Sequence, residues 1–321
     1  APFSNNTAVA LAIENSLGVE APPRAQWIRM LISELARISS HLMAVGSTCM
    51  DAGALTILLW AFVEREKLYD IFELICGARF TTSYTRIGGV VNDIGDEVIA
   101  KIRKWADEFP HYLQNIEKLV HRNKIFIKRL AGICIMPPGK AIQLGLTGPT
   151  LRGSGVPRDL RRDRPYMFYD QLDFNVVTRN DGDVWSRYMV RVDEMKESLK
   201  MVYQILDKMP TGEVRLNSPR TSLPKKAEVY TKMEELIHDF MLINYGAAPV
   251  PGETYTAVES PKGELGFFIV SDGTGHPWKM KIRSPSASNL QGLAYMVKGS
   301  MVADVILAIG SIDPIMGEAD K

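Results

Sequence analysis

Apolar positions in the first half of the chain recur with a helical period. After Pro22-Pro23, Ile28, Leu31, Leu35, Ile38, Leu42 and Val45 alternate spacings of three and four. That spacing predicts one long helix with a continuous apolar seam, packed lengthwise in a bundle. The run reaches about Met50 and breaks at Asp51-Ala52-Gly53. A second helix is expected from Leu55 to Cys76, closed by Gly77 as the left-handed residue after its last turn. Ser4-Asn5-Asn6 reads as a cap ahead of a short helix from Ala8 to Leu17. Thr81 to Asn92, with Gly88-Gly89, reads as a loop, and Asp96 to Val120 as a third long helix interrupted or bent near Pro110.

The second half changes character. From Pro137 to Asp183 the chain is rich in Gly, Pro and Arg, which predicts an ordered, loop-dominated connection. Helical periodicity returns from Trp185 to Met209, from Lys225 to Ile243 and from Asn289 to Ile309, with a strongly apolar stretch from Met301 to Ile312. Between the last two, Glu253 to Glu259, Gly266 to Ser271 and Trp278 to Ile282 alternate apolar and polar residues as short strands do. Asp272-Gly273 is the expected hairpin turn between the latter two. The expected fold is mainly α with a small antiparallel β insertion at about 250–285, in a single domain over residues 1–321.

Composition narrows the possible partners. The chain has 38 basic and 37 acidic residues, a net charge of +1, and no long basic block, so a nucleic-acid partner has no electrostatic support. Cys49, Cys76 and Cys134 are scattered and form no C-x-x-C pair, which points to a reducing compartment. No stretch of eighteen uninterrupted apolar residues and no signal peptide occurs, so a membrane is expected to be reached only through partners. The chain runs from Ala1 straight into a helix signal, and a truncated N-terminus is the expectation.

Local catalytic motifs are absent. There is no phosphate-binding Gly loop ending in Lys-Ser/Thr, no His-Glu-x-x-His, no Gly-x-Ser-x-Gly and no Gly-x-Gly-x-x-Gly. Three scattered cysteines do not make the four ligands of an iron–sulfur cluster, and the five histidines show no metal-ligand spacing. His111 and His121 are expected on a solvated helix face. One anomaly stands out: Met43, Ser47 and Asp51 lie four apart, on a single helix face that runs into the Gly53 break. On one reading Asp51 caps the next helix and Ser47 back-bonds to a carbonyl. On the other they form a cavity wall, with Met as soft apolar lining and Asp51 as the ionisable group at its end. Arg79 and Arg86 bracket a loop, and Lys262-Gly263-Glu264 reads as a turn. The Arg152 to Arg164 segment, with Asp159 and Asp163 interleaved, reads as a salt-bridged loop around the core. The tail from Asp313 to Lys321 carries three carboxylates, and its Asp-Pro step ends the apolar helix before it.

Six stretches together resemble one family. They are Pro23 to Arg29, Met50 to Thr56, Arg86 to Val90, Leu151 to Gly155, Gly263 to Gly266 with Val270 to Gly273, and Asp313 to Lys321. In order and over essentially the whole chain, they resemble the 49 kDa-type (D-type) subunit of respiratory complex I, the proton-pumping NADH:quinone oxidoreductase. The resemblance implies a fold shared with the large subunit of nickel–iron hydrogenases. There the tail reads Asp-Pro-Cys-x-x-Cys and binds nickel; here Ile315 and Glu318 stand at the cysteine positions, so no metal is expected.

It also implies a smaller partner subunit carrying a terminal 4Fe–4S cluster, with a quinone cavity between the two chains. Met43, Ser47 and Asp51 would then line that cavity, and Asp51 would relay a proton to quinone through a histidine upstream of Ala1. Asp313 and Lys262 would belong to the charged route toward the membrane arm, and Thr81 and Arg86 would face the cluster. Many members carry a titrating histidine where Thr81 stands, and some carry Arg where Lys262 stands. No cofactor is expected on this chain itself. NAD would bind elsewhere in the complex, among the other peripheral-arm subunits. The implied location is peripheral, on the cytoplasmic face of a bacterial inner membrane or the matrix face of an organelle. Two alternatives stay open: the same core in a ferredoxin- or deazaflavin-linked dehydrogenase, and a non-catalytic scaffold.

Overall fold

The seam after Pro22-Pro23 becomes the axis of the molecule. In the computed structural model, which describes residues 2–218 and 220–320, helix α1 (Pro2–Leu17) leads into the 29-residue helix α2 (Pro23–Asp51). Ala1, on which the expectation of a truncated start rests, and Lys321, the end of the acidic tail, lie outside the described residues. Ile28, Leu31, Leu35, Ile38 and Leu42 are fully buried, as the spacing requires. So are Arg29, Glu34, Arg37 and His41, because α2 is surrounded rather than lying on a surface. It packs against α3 (Leu55–Cys76) on one side and the helix Val184–Lys208 on the other. Gly46 permits the first contact: a Cβ there would sit 3.0 Å from Leu58 Cδ1 and 3.2 Å from Ala61 Cβ. Gly77 closes α3 with φ 74°, the left-handed conformation expected of it. Helix α4 (Asp96–Val120) continues through Pro110 and completes the bundle against α3 and Val184–Lys208.

Three local expectations give way to tertiary contacts. Helix α1 starts at Pro2 instead of being capped at Ser4-Asn5-Asn6. Ser4 is buried inside it, and Asn6 Nδ2 donates to the Thr82 carbonyl at 2.6 Å, so the Asn6 side chain serves the neighbouring loop. That loop contains a short ribbon, β1 (Thr85–Arg86) paired with β2 (Gly89–Val90). The sheet consists of β3 (Gly252–Ser260), β4 (Gly263–Ser271) and β5 (Lys279–Arg283), antiparallel in that order, and it packs its Val258, Leu265, Phe267 and Ile269 face on Ala8 and Ala12 of α1. Its tight turn is Pro261-Lys262, between β3 and β4. Asp272-Gly273 lies, as expected, in the hairpin connection from β4 to β5, a longer loop in which Asp272 Oδ1 accepts from both the amide (2.9 Å) and the hydroxyl (2.7 Å) of Thr274. Finally, the expected helix from Asn289 to Ile309 is three helices, Pro285–Leu290, Leu293–Val297 and Val302–Ile312, divided at Gln291-Gly292 and by Gly299 with φ 82°. The expected Lys225–Ile243 helix is likewise divided, into Lys226–Val229 and Met233–Tyr245.

The connection between Pro137 and Asp183 is irregular apart from short helical turns, and it brings charge into the core. Fully buried Arg152 donates from Nε to Glu194 at 2.8 Å and from Nη1 to Glu259 at 2.7 Å. Arg161 forks onto Asp159 at 2.7 Å and Glu34 at 3.1 Å, and Glu34 also accepts from Tyr169 and Ser198, each at 2.8 Å. This is the salt-bridged segment read from the sequence, and it joins α2, Val184–Lys208 and β3. Among the described residues no helix is long and apolar enough to cross a membrane.

Candidate functional site

A cleft of about 590 Å³ opens between α2, α3 and the helix Val302–Ile312 with the turn that follows it. Met43, Ser47 and Asp51 all line it, because four-residue spacing drifts only slowly around the helix. Ser47 Oγ donates to the Ala44 carbonyl at 3.1 Å, the back-bond expected of a helical serine. Asp51 does not cap α3, whose N-cap is Ala54 without a side-chain bond. Its carboxylate instead faces Gly310, where a Cβ would come within 2.5 Å of Asp51 Oδ2. Among the described residues it has no hydrogen-bond or ion-pair partner, and burial pushes its carboxyl above the usual carboxylate range.

The chain end builds the opposite wall. Asp313 ends Val302–Ile312 in the left-handed conformation (φ 56°, ψ 54°), unusual for a residue other than glycine, and its amide bonds back to the Ile309 and Gly310 carbonyls. Pro314 then takes the chain away. Asp313 Oδ2 is ion-paired with Lys262 Nζ, and both line the cleft. Lys262 is the turn residue read from the sequence, yet it is only 5% exposed. The turn is pressed inward by backbone contact: a Cβ at Gly148 would lie 2.4 Å from Gly263 Cα. Ile315 lines the cleft, and Glu318 Oε2 accepts from Ser286 Oγ at 2.6 Å.

Several lining residues went unread in the sequence. Arg65 and Tyr69 belong to Glu64-Arg65-Glu66-Lys67 and the turn after it, which look like a solvated charge run, but α3 turns Arg65 inward. Its Nη1 lies 3.2 Å from Met43 Sδ and its Nη2 donates to Tyr69 Oη. The usable signal was the i,i+4 spacing of an arginine and a tyrosine on an apolar helix. Behind α2, buried His41 bonds Glu194 Oε2 at 2.9 Å, and burial lowers its pKa to about 4. Arg79 lines the cleft mouth, ion-paired to Glu66 and to Asp70 at 3.2 Å.

Thr81 lies outside the cleft, on a neighbouring cavity of about 680 Å³ that shares Pro2, Phe80, Lys262 and Ile315 with it. Arg86 is exposed on β1, away from both cavities. His121 is half-buried rather than solvated, edge-on to Trp185 at 5.5 Å and Tyr188 at 5.7 Å, and burial lowers its pKa.

The arrangement defines a helical scaffold that shapes an apolar cleft and places a few ionisable groups on its walls. The family model for the 49 kDa subunit of respiratory-chain NADH dehydrogenase matches residues 51–321. The chain is 52% identical over 320 residues to a D-type subunit of the NADH-quinone oxidoreductase of Chloroherpeton thalassium, covering all of this chain and 73% of the relative. It is 50% identical over 321 residues to the corresponding NADH-quinone oxidoreductase chain of Salinibacter ruber (71% of the relative) and 48% identical over 321 residues to that of Rhizobium meliloti (80% of the relative). The chain belongs to the 49 kDa subunit family of respiratory-chain NADH dehydrogenase, and so to an oxidoreductase complex.

Proposed function

We propose that the cleft is one wall of the quinone site of a proton-pumping NADH:quinone oxidoreductase. The observation that carries this reading is the unpartnered Asp51 carboxyl, its pKa raised by burial, at the end of an apolar cleft. Reduction of a quinone to a quinol consumes two electrons and two protons. The electrons come from NADH bound elsewhere in the complex, through the 4Fe–4S cluster of a partner subunit. Nothing on this chain needs to carry them. A carboxyl that keeps its proton to higher pH than usual is suited to feed a relay, through a histidine, to a quinone oxygen as charge arrives there. Met43 and Ser47 supply the wall beside it. The Lys262–Asp313 pair is a second charged pole of the cleft, on the charged route toward the membrane arm.

The exposed apolar side chains around the cleft support the partner. Leu55, Leu59, Trp60 and Val63 on α3, and Val302 and Ile306 on the last helix, are all exposed, as a surface covered by another subunit would be. Thr81 and Arg86 would face the cluster in that assembly. The relatives' names favour NADH as donor over a ferredoxin or a deazaflavin. Attachment to the membrane would be peripheral, on the cytoplasmic or matrix face. The test is Asp51→Asn in the assembled complex. Quinone reduction should fall about a hundredfold or more, the usual worth of a positioned proton donor, while NADH oxidation by hexacyanoferrate is retained. Equal loss of both would show a structural role and sink the reading.

A further inference from the structure

Arg65 is a cation without an anion. Its residue is 8% exposed, and among the described residues it pairs with no carboxylate. Its direct partners are neutral. Nε lies 3.5 Å from Ser39 Oγ, Nη1 lies 3.2 Å from Met43 Sδ, and Nη2 donates to Tyr69 Oη. The guanidinium also stacks on the rings of Phe62 (5.1 Å) and Tyr69 (5.2 Å), which solvate positive charge through their faces. Arg79 nearby is different, since three carboxylates, Glu66, Asp70 and Glu73, surround it. Among the described residues the cleft wall therefore carries a buried guanidinium with no carboxylate paired to it, and Tyr69 stands on the same wall.

The direction of the Arg65–Tyr69 bond is fixed by chemistry. A guanidinium only donates, so the phenol oxygen accepts and the phenol proton is left to donate elsewhere. No other acceptor takes that proton among the described residues. We propose that Tyr69 donates this proton in a hydrogen bond to a carbonyl oxygen of the quinone, with Arg65 as the positioning residue that stabilises the negative charge building on that oxygen. This rests on the quinone-site reading and adds a second polar pole to it. Met43, beside Arg65, and Asp51 are eight residues apart on α2, or about 12 Å along the axis. The two poles thus stand at separate points along one cleft. Tyr69 fixes where the headgroup docks, and Asp51 supplies a proton.

The test uses the assembled complex with decylubiquinone, carbon-13 labelled at its carbonyls. With Tyr69→Phe, which keeps the ring and its packing, the KM for decylubiquinone should rise about three- to tenfold, the worth of one lost hydrogen bond. The infrared carbonyl band that is shifted down in the wild type should return toward its free position. NADH oxidation by hexacyanoferrate should be unchanged. With Arg65→Lys, charge remains but the fork is lost, and the band should move part of the way. A carbonyl band and KM unchanged by Tyr69→Phe, while Asp51→Asn still impairs quinone reduction, would overturn this proposal and leave the quinone site standing. If neither substitution affects quinone reduction, both fall.

Discussion

Around Arg152 each buried charge faces an opposite one, whereas along the cleft Asp51 and Arg65 face none. In the first region the guanidiniums of Arg37, Arg152 and Arg161 meet the carboxylates of Glu34, Asp159, Glu194 and Glu259, all of them buried. Burial opposes the ionisation of Glu194, but Arg152 and His41 outweigh it and hold that carboxyl below the usual range. In the second region burial acts on Asp51 with nothing to answer it. The cost of burying charge is met by ion pairs around Arg152 and by backbone carbonyls and Ser311 around Arg187, and in the cleft no carboxylate meets Arg65 and no cation meets Asp51 among the described residues. A charge on a cleft wall without a counter-charge is available to a ligand, whereas removing one partner of a buried pair strands the other.

Breaking the compensated region should give the largest effect. Arg152→Ala removes the common partner of Glu194 and Glu259 and leaves both carboxylates buried. A loss of about 3–5 kcal/mol is expected, read as loss of the chain from the complex on native gels or as a lower Tm. Arg152→Met should cost about as much, since it restores volume and not charge.

Next comes acid. His41 is neutral in the fold, with a pKa of about 4 against about 6.5 in an unfolded chain, so the unfolded state binds more protons between those values. Stability should therefore be complete above about pH 6.5 and fall as pH drops toward 4, by about 3 kcal/mol over the window. His41→Gln, whose amide can still donate to Glu194, should flatten that acid slope in urea unfolding at pH 7 and pH 5.

The cleft substitutions Asp51→Asn and Tyr69→Phe belong to the other side of the comparison. They should leave stability nearly unchanged while quinone reduction suffers, and a large fall in Tm for either would erase the distinction between the two regions. The smallest effect concerns Thr81, which cannot titrate near neutral pH. If Thr81 faces the partner's cluster, the potential of that cluster should vary with pH by well under about 59 mV per unit, and Thr81→His should steepen it. A full proton-coupled slope in the wild type would count against that placement.

Much of the helical frame could be read from spacing, because a surrounded helix must keep apolar residues on its inner faces. The α2 seam and the ends of α3 show this, Gly77 included. The Met43-Ser47-Asp51 face was legible for the same reason. Arg65 was not: Glu64-Arg65-Glu66-Lys67 has the composition of a solvated surface, and only the packing of α3 on α2 turns one of its charges inward. The Ser4-Asn5-Asn6 cap failed because Asn6 found a partner in Thr82, 76 residues away. Asp272-Gly273 was legible as the start of the β4–β5 connection, and the Asp272 side chain folds that loop through Thr274.

The sequence by itself determined the long helices α2, α3 and α4, the small sheet, and the family to which the chain belongs. Those depend on local spacing and on matches along one line. Tertiary structure alone decided which charges are answered. Lys262 meets Asp313 across 51 residues and Arg152 meets Glu259 across 107, while Asp51 and Arg65 meet no opposite charge among the described residues. Pairing is a property of what stands opposite in space. Electrostatic attraction and desolvation act over a few ångströms, whatever the distance along the chain.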